Sequence, residues 1–330
     1  MISRRTFVVI TGGALLGWSL DMWAQGQAAP RRIGFLSAFA RSEIEALLSE
    51  LRPELEKLGW TDGRNIVLLE VRTTEGRNER LPSMAAELVA QGPDLILVQS
   101  VPATRALMQA TKSIPIVMIG VGNPVELGIV ANFVRPGGNV TGSSFLANEY
   151  SGKLLQFLKE AAPRLRSVAV FYIPANEHAP QWFKKVSADA EALGMRAQRV
   201  DIVGPGDFEA AFAAIRGAST ESILIPPEPL IQSNRDTIGS FAQTHRLPLV
   251  AVGASSNLPA SGLIAFGPAR GEFAQLSARY VDRILKGAKP GDLSIEQPSR
   301  FNLVINLKTA KALGLTIPQT LLQRADEVIH

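Results

Sequence analysis

The side chains best suited to chemistry are few and scattered. The chain has no cysteine and three histidines, His178, His245 and His330. They lie too far apart in sequence to read as a catalytic or metal set, and His178 and His245 are expected on the surface. No HExxH pattern or cysteine pair suggests zinc, and no GxSxG elbow offers a nucleophile. GGNVTG (Gly137–Gly142) is neither a Walker loop nor a dinucleotide fingerprint. No enzyme activity, metal or cofactor is therefore expected. The remaining residues suit binding. Ser100 and Thr104 can exchange hydrogen bonds with a carboxylate, or cap a helix. Phe145 and Tyr172 can stack on a flat group and Phe266 is a further ligand-binding candidate, while Phe145 and Phe266 also read as core. Glu228, held between prolines in IPPEP (Ile225–Pro229), can take a ligand amine or stand as a solvated loop carboxylate.

These residues gain meaning from the elements that carry them. RIGFLS (Arg32–Ser37), NIVLLEVR (Asn65–Arg72), DLILVQS (Asp94–Ser100) and IPIVMIG (Ile114–Gly120) are short apolar runs. So are SVAVFYI (Ser167–Ile173), ESILIPP (Glu221–Pro227) and LPLVAVG (Leu247–Gly253). Each precedes a stretch that can be helical. Ser42-Glu43-Ile44-Glu45 reads as a capping box. It opens a helix with Ile44, Leu47, Leu48, Leu51, Leu55 and Leu58 on one face, which Pro53 is expected to kink or divide and Gly59 to end. Asn78–Gln91 is a further helix. Asp207 is expected to cap another, with Phe208, Ala211, Phe212 and Ile215 on one face.

Apolar strands alternating with amphipathic helices imply parallel sheets covered on both faces. Two sets are expected, one of four strands from Arg32 to Gly120, the other from Ser167 to Gly253. RPGGNVTGSSF (Arg135–Phe145) reads as the linker and LIAFGPARG (Leu263–Gly271) as a second crossover. Open parallel sheets bind ligands beyond the carboxyl ends of their strands, where helix N-termini favour anions. That rule selects Ser37 and Ala38, then Ser100, Val101 and Thr104, then Val121, Gly122 and Asn123. In the second set it selects Tyr172–Asn176, Pro226–Pro229 and Val252–Ser255, which include Asn176, Pro226, Glu228 and Gly253.

The first residues read as an address. Arg4 and Arg5 precede an apolar stretch, Phe7–Leu20, shorter than the roughly 20 residues that span a bilayer. Ser3-Arg4-Arg5-Thr6-Phe7 resembles a twin-arginine export signal, so residues 1–29 are expected to be removed and the mature protein to work in the periplasm. The formal charge of +4 is spread along the chain, which does not make a nucleic-acid footprint.

Longer segments carry a family resemblance. VGNPVELGIVANFVRPGGNVTG (Val121–Gly142) resembles the signature of a bacterial ABC-transporter substrate-binding family. So do Gly59–Val89, Arg279–Pro318 and the terminal LLQRADEVI. The match runs through nearly the whole chain after its first residues, and the family includes binders of tryptophan and phenylalanine. The resemblance implies a type I periplasmic binding protein with two doubly wound α/β lobes. Residues 30–143 with about 268–297 would form one lobe, and 144–267 with about 298–330 the other. The chain would cross the hinge three times, with a small molecule (an aromatic or other organic acid, or an amino acid) between the lobes. An inner-membrane ABC permease is the implied partner and the protein is expected to be a monomer. A sensor feeding a membrane signalling partner is the alternative. The family often has aspartate where Asn123 stands, and often an aspartate after the proline where this chain has Pro226-Pro227-Glu228-Pro229. Loss of an acid at 123 suggests a ligand without an amine.

Overall fold

In a computed structural model, residues 29–330 are described except 146 and 254–256, as are the side chains other than those of 147–149 and 270. The expected export signal lies outside the described residues. Two separate sheets organise the rest. The first has the order β2-β1-β4-β5-β6, with β3 also pairing β1, and all its pairs are parallel. Its strands are β1 (Arg31–Ser37), β2 (Ile66–Leu68), β3 (Arg72–Thr73), β4 (Leu95–Gln99), β5 (Ile116–Val121) and β6 (Val140–Ser144).

The second sheet has the order β13-β12-β11-β10-β9-β7-β8. It comprises β7 (Ser167–Tyr172), β8 (Arg196–Asp201), β9 (Ile223–Ile225), β10 (Leu249–Val252), β11 (Ile264–Pro268), β12 (Phe301–Asn306) and β13 (Glu327–Ile329). Only the β11–β12 pair among these is antiparallel.

Each sheet is the middle layer of three. On one face of the first, α1 (Arg41–Lys57) contributes Ile44, Leu47, Leu51 and Leu55. They pack with Ala274, Ala278, Tyr280 and Val281 of α9 (Arg270–Leu285). The other face holds α2 (Leu81–Ala90) and α3 (Val101–Ala110), through Leu81, Ala85, Leu88, Ala103 and Leu107. The second sheet is covered on one face by α4 (Ala147–Ala161) and α5 (Ala179–Ala192), and on the other by α6 (Phe208–Gly217), α7 (Pro229–Ser233) and α8 (Arg235–Thr244). Two short helices, α10 (Leu307–Leu313) and α11 (Gln319–Leu322), follow β12.

The first sheet is larger than the expected four strands. Asn65–Arg72 divides into β2 and β3, both paired along β1, because Glu70 interrupts the apolar run. The supposed linker supplies β6, VTGSS, every residue of which is buried. Its small residues are a packing requirement. A Cβ on Gly142, at φ +126, would lie 2.2 Å from the Met118 carbonyl oxygen. The polar atoms of β6 are bonded inward: Thr141 Oγ1 donates to the Leu293 carbonyl, and Ser143 Oγ accepts from Gly120 N–H. The second sheet likewise extends past Gly253 to take in β11, β12 and β13.

Local signals also differ. Pro53 does not divide α1, which runs through it with Leu51 and Leu55 buried on either side. Proline removes one helical hydrogen bond, which this packed face outweighs. The Ser42–Glu43 capping box does not form, since α1 starts at Arg41 with no side-chain cap. Asp207 turns backward instead of capping α6, accepting from the Val203 and Gly204 N–H groups. Gly59, at φ +89, does end α1.

The chain passes between the sheets after β6, after β11 and again before β12. Two of these passages are tied together. Glu272 in the first turn of α9 accepts from Ser299 N–H, Ser299 Oγ and Arg300 N–H at 2.7–2.8 Å. The Ala269 N–H meanwhile donates to the Arg300 carbonyl.

Candidate functional site

The carboxyl ends of both sheets open onto one cavity of about 490 Å³, within the range of small-molecule sites. From the first sheet, Gln99 closes β4 and Ser100, Val101 and Arg105 follow on α3. Gly120 and Val121 end β5, with Gly122 and Asn123 after them. The second sheet contributes Ile173, Asn176, Glu177 and His178 between β7 and α5, Trp182 on α5, Pro226–Pro229 after β9, and Gly253 after β10.

Two of the non-glycine residues with positive φ are here, Ser100 at φ 90 and Asn123 at φ 41. Such conformations cost of order 1–3 kcal/mol and gather at functional sites. At Ser100 the turn swings the chain straight into α3, so that its Oγ accepts from Ala103 N–H and the helix starts beside the cavity, with Val101 and the N–H-less Pro102 among its lining residues. A helix start presented in this way favours a carboxylate. Gly120, at φ +61, allows Phe273 to close the floor, since a Cβ there would lie 2.9 Å from the Phe273 ring.

The walls are largely apolar: Phe39, Phe145, Phe171, Trp182 and Phe273 all contribute. Against them stands Glu228. Its carboxylate accepts from Asn176 Nδ2, and no cation pairs with it among the described residues. Burial lifts its pKa to about 6, with the Asn176 hydrogen bond pulling the other way. The rim is charged and pairs residues across the cleft. Glu43 of α1 meets Arg235 of α8 at 2.9 Å, and Arg105 of α3 meets Glu177 at 2.7 Å. Glu126, beyond β5, lies 3.7 Å from His178 Nδ1.

Of the residues chosen from strand ends, the structure gathers Ser100, Val101, Gly122, Asn123, Phe145, Asn176, Pro226, Glu228 and Gly253 around this cavity. Five do not line it. Ser37 and Ala38 are fully buried, and Ser37 Oγ accepts from Phe39 N–H. Thr104 donates to the Ser100 carbonyl, as a helix-start hydroxyl should. Tyr172 is buried under the Arg199 guanidinium, 3.6 Å from its ring. Phe266 packs edge-on to Phe157. Asn123 does not point its amide freely inward: Nδ2 donates to Glu126 Oε2 at 3.2 Å. Glu228, just before α7, is half-buried rather than fully solvated. His178, expected on the surface, has only 13% of its side chain exposed. Sequence reasoning missed His178, Phe39, Gln99, Arg105 and Trp182. The strand-end rule reaches Gln99 and Phe39 if extended by one residue on each side, but nothing local marks Trp182.

Two three-layer α/β lobes, joined by three passages of chain and facing each other across a ligand-sized cavity, define a type I periplasmic binding fold. The sequence model of the family described as ABC transporter substrate binding protein matches residues 43–329, and the chain belongs to that family. A tyrosine-binding protein of Clostridioides difficile (strain R20291) is 26% identical over 267 residues, covering 79% of this chain and 74% of the relative. Among solved structures, an ABC domain from Streptococcus pneumonia in complex with L-Trp superposes with a TM-score of 0.83 at 24% identity. It covers 91% of this chain and 100% of its own. A conserved domain protein from Vibrio cholerae gives 0.82 at 26% identity, covering 90% and 99%. The chain is thus the substrate-binding component of an ABC transporter, a class that hands a small molecule to a membrane permease.

Proposed function

We propose that this protein captures an amino acid with an aromatic or large apolar side chain in the cavity between its lobes. The carrying observation is Glu228, a half-buried carboxylate with no cationic partner among the described residues, set in an apolar cavity. A buried charge is costly unless paired, and a ligand ammonium supplies the pair. The start of α3 at Ser100 and Val101 takes the ligand carboxylate, and the aromatic walls take the side chain. The amine-free ligand suggested by Asn123 alone gives way to this reading, because an acid is present at 228. The names of the relatives, binders of tyrosine and L-Trp, support the same class.

Binding without turnover belongs to this reading and is supported by the substrate-binding role of the family. The division into 30–143 with 268–297 and 144–267 with 298–330 belongs to this reading and is supported by sheet membership. So do the periplasmic location, supported by the twin-arginine-like start, and action as a monomer. No helix among the described residues is long and apolar enough to cross a membrane. The test is titration calorimetry of the purified protein with L-phenylalanine, L-tyrosine, L-tryptophan, 3-phenylpropionate and glucose. At least one aromatic amino acid should bind in the micromolar range or tighter, with 3-phenylpropionate at least ~100-fold weaker, as loss of a buried ion pair requires. Equal affinity for 3-phenylpropionate would remove Glu228 from the ligand site.

A further inference from the structure

Buried polar atoms are rarely left without a partner. Among the described residues that have one, three side chains line this cavity: Gln99 through Oε1, Arg105 through Nε and His178 through Nε2. His178 is the most constrained. Its backbone N–H donates to Asn176 Oδ1 at 2.8 Å, and the other end of the same amide donates to Glu228. One asparagine therefore ties the His178 backbone and the Glu228 carboxylate to the same wall. From the opposite lobe, Glu126 Oε2 lies 3.7 Å from Nδ1. A carboxylate there favours the proton on Nδ1 and leaves Nε2 as a buried, unpartnered acceptor in the cavity wall.

We propose that His178 is a specificity-determining residue of the ligand site, forming with Glu228 a two-acceptor subsite for a primary ammonium group. This rests on the amino-acid reading above. The subsite is complete only when the lobes are together, because Glu126, which fixes the ring, belongs to the other lobe. His178 thereby links recognition of the amine to closure.

The groups facing His178 are Glu126 and the Asn123 carbonyl beyond β5, Arg105 on α3, and Glu177 on its own loop. Burial is the largest influence and holds the imidazole below its ordinary pKa. Arg105 acts with burial, while Glu126, Glu177 and the Asn123 carbonyl oppose it. Protonation would turn Nε2 from acceptor to donor and set a positive charge against the ammonium. Affinity for an amine should therefore fall as pH drops through the range in which His178 and Glu228 take up protons.

The experiment uses whichever of L-phenylalanine, L-tyrosine and L-tryptophan binds the wild type most tightly, titrated from pH 7.5 to 5.0. Wild type, His178→Gln, His178→Leu and Glu228→Gln are compared, and thermal midpoints without ligand establish that each is folded. His178→Leu should lose about tenfold or more in affinity at pH 7.5, the worth of a hydrogen bond to a charged group. Glutamine keeps an acceptor that does not titrate. His178→Gln should stay within about threefold of wild type at pH 7.5 and show a shallower loss toward pH 5.0. Wild-type affinity in His178→Leu, or a wild-type pH slope in His178→Gln, would overturn the assignment. If Glu228→Gln alone loses affinity, the amino-acid reading stands and only the role of His178 falls. If none of the three amino acids binds the wild type, both fall.

Discussion

Glu228 in the cleft and Glu272 at the passages between lobes are the same residue type in opposite situations. Glu272 collects three hydrogen bonds from Ser299 and Arg300. Burial works to raise its pKa, but those bonds and the nearby Arg300 charge prevail, and the pKa is lowered. Glu228 has one donor, Asn176, and burial prevails, lifting it to about 6. A carboxylate that the fold satisfies strengthens the fold. One that the fold leaves short of partners weakens it and is available to a ligand.

The contrast can be broken in several ways. Glu228→Gln should show the largest effect, a loss of about 3–4 kcal/mol in amino-acid binding, comparable to separating a buried charge pair. Calorimetry reads this directly. Glu272→Ala should cost about 3 kcal/mol in stability, because three donors lose a charged acceptor at once. Denaturant melts check it, and ligand affinity per closed molecule should change little. Without ligand, Glu228→Gln should do the reverse and stabilise the protein by about 2 kcal/mol at pH 7.5, the equivalent of its raised pKa. The signs with pH are opposite. Glu228, with a raised pKa, penalises the fold above its ordinary value. The penalty is fully present above about pH 6 and disappears as pH falls toward the unfolded value. Glu272, with a lowered pKa, contributes stability present above the ordinary glutamate range and lost only as pH falls below it. Melts between pH 7.5 and 4 should therefore show Glu228→Gln converging on wild type while Glu272→Gln remains distinct until the acid end. The smallest effect is expected at the rim. A double-mutant cycle on Glu43 and Arg235 should give about 1 kcal/mol or less, weakening with salt.

The same contrast explains how far the sequence could be read. Alternating apolar runs and amphipathic helices reveal two parallel sheets, and the strand-end rule reaches Ser100, Asn123, Asn176 and Glu228, because backbone direction decides where a strand ends. β6 escaped that pattern, since its residues are chosen to be small against Met118 rather than to be apolar. The capping signals at Ser42 and Asp207 failed because each competed with nearby backbone donors or with helix packing. His178 and Trp182 become cavity residues only because the second lobe is set against the first, and no local period records that apposition. Ser37, Thr104 and Tyr172 obey the strand-end rule in position, yet satisfy themselves within their own lobe.

The return of α9 to the first sheet also bears on how the molecule is made. Ile44, Leu47, Leu51 and Leu55 of α1 share their core with Ala274, Ala278 and Val281 of α9, so α1 waits for residues more than two hundred positions later. During synthesis, that apolar face stands open until most of the second lobe has left the ribosome. Neither lobe is a continuous stretch, so neither can be cut out as a simple fragment, and the nascent chain is most exposed to misassembly just before α9 appears.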